Sequence, residues 1–253
     1  MYTLVTGASS GIGAEFAHQL AEKKHNLIIT ARSADALNKL AVDLNKNYHV
    51  DVKVIVQDLS QIDSAEALFA KCLEQSLEID LLVNDAGVGL IGDFQSHDIK
   101  NIESMLILNI LSLTKLCYLF LPQLKKNRGK ILNVASQASF GPQPYMAAYG
   151  ATKAYVLSLT EALRVELQDS GVTVHSLNPG PTYTKFFERA NSSPDNINFK
   201  FRTPQEVVSD AIIGMEENKA ITIPGWENQM FNFVTRLVPR NVLAKMTQYN
   251  IKK

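Results

Sequence analysis

The stretch LVTGASSGIGAEFAHQLA, residues 4–21, decides the fold. A short apolar strand runs into Gly7, the chain turns through Gly11 and Gly13, and a helical pattern opens at once. Glycines permit a tight turn and let backbone N–H groups approach an anion at a helix N-terminus, where the macrodipole favours negative charge. Strand before and helix after mark a seat for the pyrophosphate of a dinucleotide, with Ser9, Ser10 and Ile12 on the same loop. The other phosphate loop, GxxxxGK[ST], is excluded because no lysine follows these glycines, and nucleoside triphosphate hydrolysis drops out with it.

Outward from this turn, short β-branched runs alternate with longer amphipathic segments, the pattern of parallel strands joined by crossover helices. The strands are YTLVT, NLIITA, VKVIVQ, IDLLVN, KILNVA, VTVHSL and AITI, and the helices are 11–24, 33–46, 60–76, 99–126, 149–170, 204–218 and one near 228–249. No Pro- or Ser-rich linker divides them. One Rossmann-like, doubly wound α/β domain with about seven parallel strands is therefore expected over 1–253, with 181–202 as a loop able to act as a lid.

The 25 basic and 25 acidic residues cancel, so no chain-wide field attracts nucleic acid, and none is expected as a partner. A strand that starts at the second residue leaves no room for a secretory signal, which predicts a cytoplasmic protein. The apolar run 105–122 is interrupted by Asn109, Ser112, Thr114 and Lys115 and reads as a buried helix, not a membrane span. Cys72 and Cys117 lack CxxC spacing and sit beside leucines, so core packing is expected and no metal.

The spacing GxxxGxG resembles that of the short-chain dehydrogenase/reductase family, and further motifs follow in the family's order. Asp58, followed by Leu59, stands after the third strand, where the family places an acid near the adenine. LVNDAG at 82–87 resembles the NNAG segment through Asn84, Ala86 and Gly87. Ser136 follows the fifth strand, Tyr149 lies thirteen residues on, and Lys153 completes YxxxK. NPGPTYT at 178–184 matches PGxxxT through Pro179, Gly180 and Thr184, with Thr182 between them. The likeness covers the chain up to about residue 185 and implies these residues as cofactor contacts, together with a homodimer or homotetramer.

Residues i and i+4 share a helix face, so Lys153 can sit beside the Tyr149 ring. A free phenol titrates near 10, and a neighbouring ammonium would stabilise the phenolate and lower that value. The resemblance implies that Tyr149 donates a proton to a carbonyl oxygen, that Ser136 stabilises this oxygen, and that Lys153 also holds the nicotinamide ribose. It implies for Asn109 a water in the proton relay; a structural amide linking helix to backbone is the competing reading.

Where an NAD enzyme carries an acid after the second strand, this chain has Ala31, Arg32 and Ser33. Arginine there suits a 2′-phosphate, so NADP(H) is the expected cofactor, and Asp35 is assigned to the first turn of the next helix. Two departures from the family pattern stand out: Asp85 replaces the second asparagine of NNAG, exchanging a donor-acceptor amide for a carboxylate, and Ala135 replaces a non-catalytic serine.

Beside Ser136 and Tyr149, the substrate pocket is expected from Leu90, Ile91, Ala138, Phe140, Met146, Phe186 and Phe187, an apolar lining suited to a hydrophobic ketone or aldehyde. The same residues also suit ordinary core. From Asn228 to Lys253 there is no acidic residue, and Arg236, Arg240, Lys245, Lys252 and Lys253 accompany an apolar pattern broken at Pro239. Packing of this tail on the protein body or a second subunit is preferred there over contact with a membrane. The leading function is an NADPH-dependent carbonyl reductase; a 3-oxoacyl thioester reductase shares every motif, and a non-catalytic NADPH-binding regulator shares the fold.

Overall fold

The computed structural model describes residues 1–190 and 200–248. Seven strands form one parallel sheet: β1 (Tyr2–Thr6), β2 (Leu27–Ala31), β3 (Val52–Val56), β4 (Ile79–Asn84), β5 (Lys130–Val134), β6 (Thr173–Leu177) and β7 (Ile221–Thr222). Their order is β3-β2-β1-β4-β5-β6-β7, so the winding reverses between β1 and β4. In open parallel sheets that reversal opens a crevice beyond the strands' carboxyl ends, and it brings the glycine turn after β1 beside the segment after β4.

Both sheet faces are covered, which is why the strands read as near-continuous apolar runs. On one face α1 (Gly11–Glu22), α2 (Ala34–Tyr48) and α8 (Pro204–Glu216) pack Phe16, Leu20, Leu37, Val208 and Ile212 onto Val5, Ile29 and Val83. On the other, α3 (Ser64–Glu74), α5 (Leu113–Lys126) and α6 (Ala147–Glu166) pack Leu68, Leu116, Phe120 and Val156 onto Leu4, Ile28 and Leu82. Successive strand residues thus serve opposite cores, as the period of two requires. Cys72 and Cys117 are free thiols buried in the second core.

The expected helix 99–126 is continuous but changes pitch. α4 (Ile99–Leu106) passes through a π-helical turn, Ile107–Ser112, into α5. The wider turn delivers Asn109 and Ser112 to the interior, both 1% exposed. The segment is long and apolar enough to cross a membrane by length and composition, yet α5 turns Leu116, Phe120 and Leu124 into the core beneath the sheet. Residues 181–202 hold the short helix α7 (Phe186–Arg189) and a bridge from Thr182 to Arg202; 191–199 lie outside the described residues. The tail is two helices, α9 (Trp226–Leu237) and α10 (Arg240–Gln248), not the single one expected, because Pro239 cannot continue the helix.

Candidate active site

The glycine turn needs its glycines for two separate reasons. Gly7 and Gly11 have φ of 72° and 60°, a left-handed conformation costly for residues with a Cβ. Gly13 is a matter of contact: a Cβ there would stand 2.6 Å from the Gly7 carbonyl oxygen. Gly13 therefore packs α1 onto the strand end and is not on the cavity wall. Ser10 ends the turn as the residue before α1, so the first N–H groups of that helix face the crevice.

Beyond the turn lies one large cavity of about 330 Å³. Gly7, Ser9, Ser10, Gly11 and Ile12 line its middle, and Arg32, Ser33, Asp58 and Leu59 line the end beside β2 and β3. Asp58 accepts from the backbone N–H and hydroxyl of Ser60, at 3.0 and 2.7 Å; burial pushes its carboxyl up, but these bonds, with a smaller contribution from the Arg32 charge, hold it below the usual range. No carboxylate follows β2 at the cavity wall; Asp35 lies in the first turn of α2. Ala86 and Gly87 continue the wall, and Pro179, Gly180, Thr182 and Thr184 face it from the segment after β6.

At the far end, Ser136, Ala138, Met146, Tyr149, Lys153, Phe186 and Phe187 meet. Ser136 caps a 3-10 turn, accepting from the Ala138 N–H at 3.1 Å, and its hydroxyl is hydrogen-bonded to the Tyr149 phenol. Lys153 Nζ lies 5.9 Å from the Tyr149 ring centroid and donates to the Val134 carbonyl at 2.7 Å. The expected lowering of the phenol by Lys153 is not found in the chain alone. Burial pushes Tyr149 up to about 12, with the Ser136 bond opposing and the Asp85 charge reinforcing. Burial also pulls Lys153 down, while Asp85 holds it up.

Expectations for Asn84, Phe140, Leu90 and Ile91 change, and of the two readings of Asn109 its contacts favour the structural amide. Asn84 lies below the cavity in a buried network, donating to Asn133 Oδ1 at 2.9 Å, while Asn133 donates to Thr160 at 3.0 Å. Asn109 bonds to protein through both ends of its amide: Oδ1 accepts from the Val88 N–H at 3.0 Å, and Nδ2 donates to the Val88 carbonyl at 2.9 Å and Thr152 at 3.1 Å. Its side chain therefore braces the segment after β4 against α6. Phe140 packs against the core and not into the cavity. Leu90 lines a separate small cavity with Phe94 and His97, and Ile91 is in the wall of neither.

Asp85 is half-buried in the cavity wall. Its Oδ2 lies where a Cβ on Gly13 would come within 2.7 Å, and it accepts from the Gly13 N–H. Its backbone N–H donates to Thr6 Oγ1 at 3.0 Å, and that oxygen also accepts from the Ala86 N–H at 3.0 Å. The carboxylate thus does the joining expected of an amide at this position, using acceptor atoms alone.

Matching against family models assigns residues 2–195 to short chain dehydrogenase. This chain belongs to the short-chain dehydrogenase family. It is an oxidoreductase that acts on hydroxyl and carbonyl groups, and the donor set along the cavity fits a nicotinamide dinucleotide. The very-long-chain 3-oxoacyl-CoA reductase of Anas platyrhynchos is 31% identical over 255 residues, covering 96% of this chain and 79% of the relative. A solved short-chain dehydrogenase from Sphingobium yanoikuyae in complex with NADPH superposes with a TM-score of 0.86 at 31% identity, over 97% of this chain and 95% of that one. The bulky-bulky ketone specific alcohol dehydrogenase from Comamonas testosteroni gives a TM-score of 0.80 at 31% identity, over 96% and 93%.

This short-chain dehydrogenase also uses residues that sequence reasoning did not assign to the site. Phe231, on α9, lines the cavity from the tail, and Val88 and Gly89 line it after β4. A Cβ on Gly89 would collide with the Phe186 ring, whose centroid lies 5.2 Å from that of Tyr149. The aromatic series Tyr149, Phe186, Phe187, Phe201, Tyr183 then runs through successive ring contacts of 5.0–5.3 Å into the segment after β6. Gly89 signals nothing by spacing; its meaning is the ring that covers it.

Proposed function

We propose that this chain is an NADPH-dependent reductase of hydrophobic ketones and aldehydes. The observation that carries the reading is the Ser136–Tyr149 hydrogen bond over Lys153, at one end of a cavity whose other end presents Arg32. Tyr149 gives its phenolic proton to the substrate carbonyl oxygen while reduced nicotinamide supplies hydride to the carbon. Ser136 stabilises charge developing on that oxygen, and Lys153 holds the ribose hydroxyls. Arg32 and Ser33 receive the 2′-phosphate, where a carboxylate would repel it.

Burial keeps the phenol protonated well above neutral pH, which suits proton donation and hence the reductive direction. Met146, Phe186, Phe187 and Phe231 present apolar and aromatic surface to the reacting centre, which favours a hydrophobic substrate over a sugar. Phe186, its ring tilted 54° against that of Tyr149, forms the wall of the site beside the phenol. Reduction of a 3-oxoacyl thioester is the second reading, supported by likeness to the reductase of Anas platyrhynchos.

The test is NADPH consumption over bulky ketones, aldehydes and a 3-oxoacyl thioester, with Tyr149→Phe alongside. Loss of about 10²–10⁴-fold in kcat with unchanged NADPH affinity is expected, the usual contribution of a positioned acid. Tight NADPH binding without Tyr149-dependent turnover on any compound would leave a dinucleotide-binding protein instead.

A further inference from the structure

The two tail helices are amphipathic in a direction that the sequence alone left open. α9 turns Phe231 to the cavity wall and buries Asn228 and Asn232; Asn228 donates to the Pro224 carbonyl at 2.7 Å and fills the space beside Gly180. α10 buries Leu243 against Gly141, and Thr247 donates to the Pro142 carbonyl at 2.7 Å. The packing expected of the tail is therefore present on this inner face.

The outer face is apolar and open. Trp226, Met230, Phe233 and Leu237 are 73%, 55%, 59% and 70% exposed. Their spacing of four, three and four residues places them in one stripe along α9. Val242 and Met246 are likewise exposed on α10. Arg236, Arg240 and Lys245 are exposed on the same two helices, and no acidic residue occurs from 228 onward. This basic segment belongs to a chain of zero net charge, so its cationic character is local. An apolar stripe carrying Trp, Phe and Leu beside Arg and Lys suits the headgroup region of an anionic bilayer.

We infer that α9 and α10 form an interfacial dock for an anionic lipid surface, with Trp226, Met230, Phe233 and Leu237 entering the headgroup layer and Arg236, Arg240 and Lys245 meeting lipid phosphates. A second copy of the chain suits this face less well, because neither helix beyond Glu227 offers a carboxylate to pair with the cations. Docking in this plane puts the bilayer one helix diameter, about 10 Å, from the cavity that Phe231 lines. A hydrophobic carbonyl compound dissolved in lipid then reaches the site by a short path; this last step rests on the proposed function, and the docking does not.

The chain's only tryptophan lies on the stripe, which supplies a direct reporter. The full-length protein is mixed with phosphatidylcholine vesicles with or without phosphatidylglycerol, and Trp226 emission and co-sedimentation are read together. A blue shift and sedimentation that require phosphatidylglycerol and weaken with salt are expected. Phe233→Gln with Leu237→Gln should abolish both. Arg236→Gln with Arg240→Gln should weaken binding by roughly 25-fold, about fivefold for each charge near an anionic surface. Far-ultraviolet circular dichroism and the thermal unfolding midpoint of the same variants, measured without vesicles, show that they are folded and keep this test separate from that of the reaction. No blue shift on anionic vesicles overturns the inference. So does a blue shift that grows with protein concentration without lipid, accompanied by a dimer that Phe233→Gln and Leu237→Gln dissociate, which would make the face a contact between copies.

Discussion

Replacing Asp85 by asparagine exchanges a carboxylate for an amide of nearly the same shape and leaves the Gly13 N–H an oxygen to donate to. The carboxyl is pushed up from 3.8 to about 7, chiefly by burial, with Lys153 and the Gly13 bond opposing. Its folded value thus lies above its unfolded one, so the folded chain keeps a proton that the unfolded chain releases. The stability this confers is complete below about pH 4 and is lost as pH rises toward 7. At about 1.4 kcal/mol per pH unit, the span sets a ceiling near 4 kcal/mol for holding the ionised form. Asp85 borders the cavity, where water relaxes around it, and the substitution also removes the charge that holds Lys153 up. Roughly half the ceiling, about 2 kcal/mol, is the resulting expectation. For a chain of this length that is a gain of about 4–8 °C in melting temperature. Thermal unfolding of both proteins at about pH 5 and about pH 8 reads it directly, the gain being larger at the higher pH. An equal offset at both pH values, or a variant less stable than the parent at the higher one, would refute the argument.

Arg32→Ala should weaken NADPH binding by roughly 10- to 100-fold, the loss of a charge-assisted phosphate contact, while NADH titrates unchanged; equal weakening of both would remove the 2′-phosphate assignment. Asn133→Ala leaves Asn84 Nδ2 only the weak Cys117 Sγ acceptor and takes from Thr160 the amide that donates to it, and should cost about 1–3 kcal/mol in denaturant unfolding, without altering NADPH affinity. Because burial holds the Tyr149 phenol up, carbonyl reduction should stay level from about pH 6 to 8, while alcohol oxidation, which needs the phenolate, climbs by as much as tenfold per pH unit. Phe186→Ala should raise the KM for bulky ketones several-fold by opening the wall between Gly89 and Tyr149, and an unchanged KM would show that the ring does not meet substrate.

The parts of the site legible in the sequence are those in which local spacing enforces geometry. A glycine turn between strand and helix has one use for its φ values, and a tyrosine and a lysine one helical turn apart must share a face. Strand periodicity was equally direct, because both sheet faces are buried and every strand is short and apolar. Spacing carries no sign for a competition between burial and charge. Tyr149 is raised where its neighbour suggested lowering, because the pocket that brings Lys153 close also removes water and turns the lysine toward the Val134 carbonyl. The same limit applies to Asn109, whose amide bonds to Val88 and Thr152, partners remote in sequence that a π-helical turn brings within reach. Asp85 joins the two cases. Its substitution looks like the loss of a donor, yet the donor it meets is the Gly13 N–H, so an acceptor fits the position, and what changes is a titratable carboxyl placed beside the phosphate-binding turn and the reacting phenol.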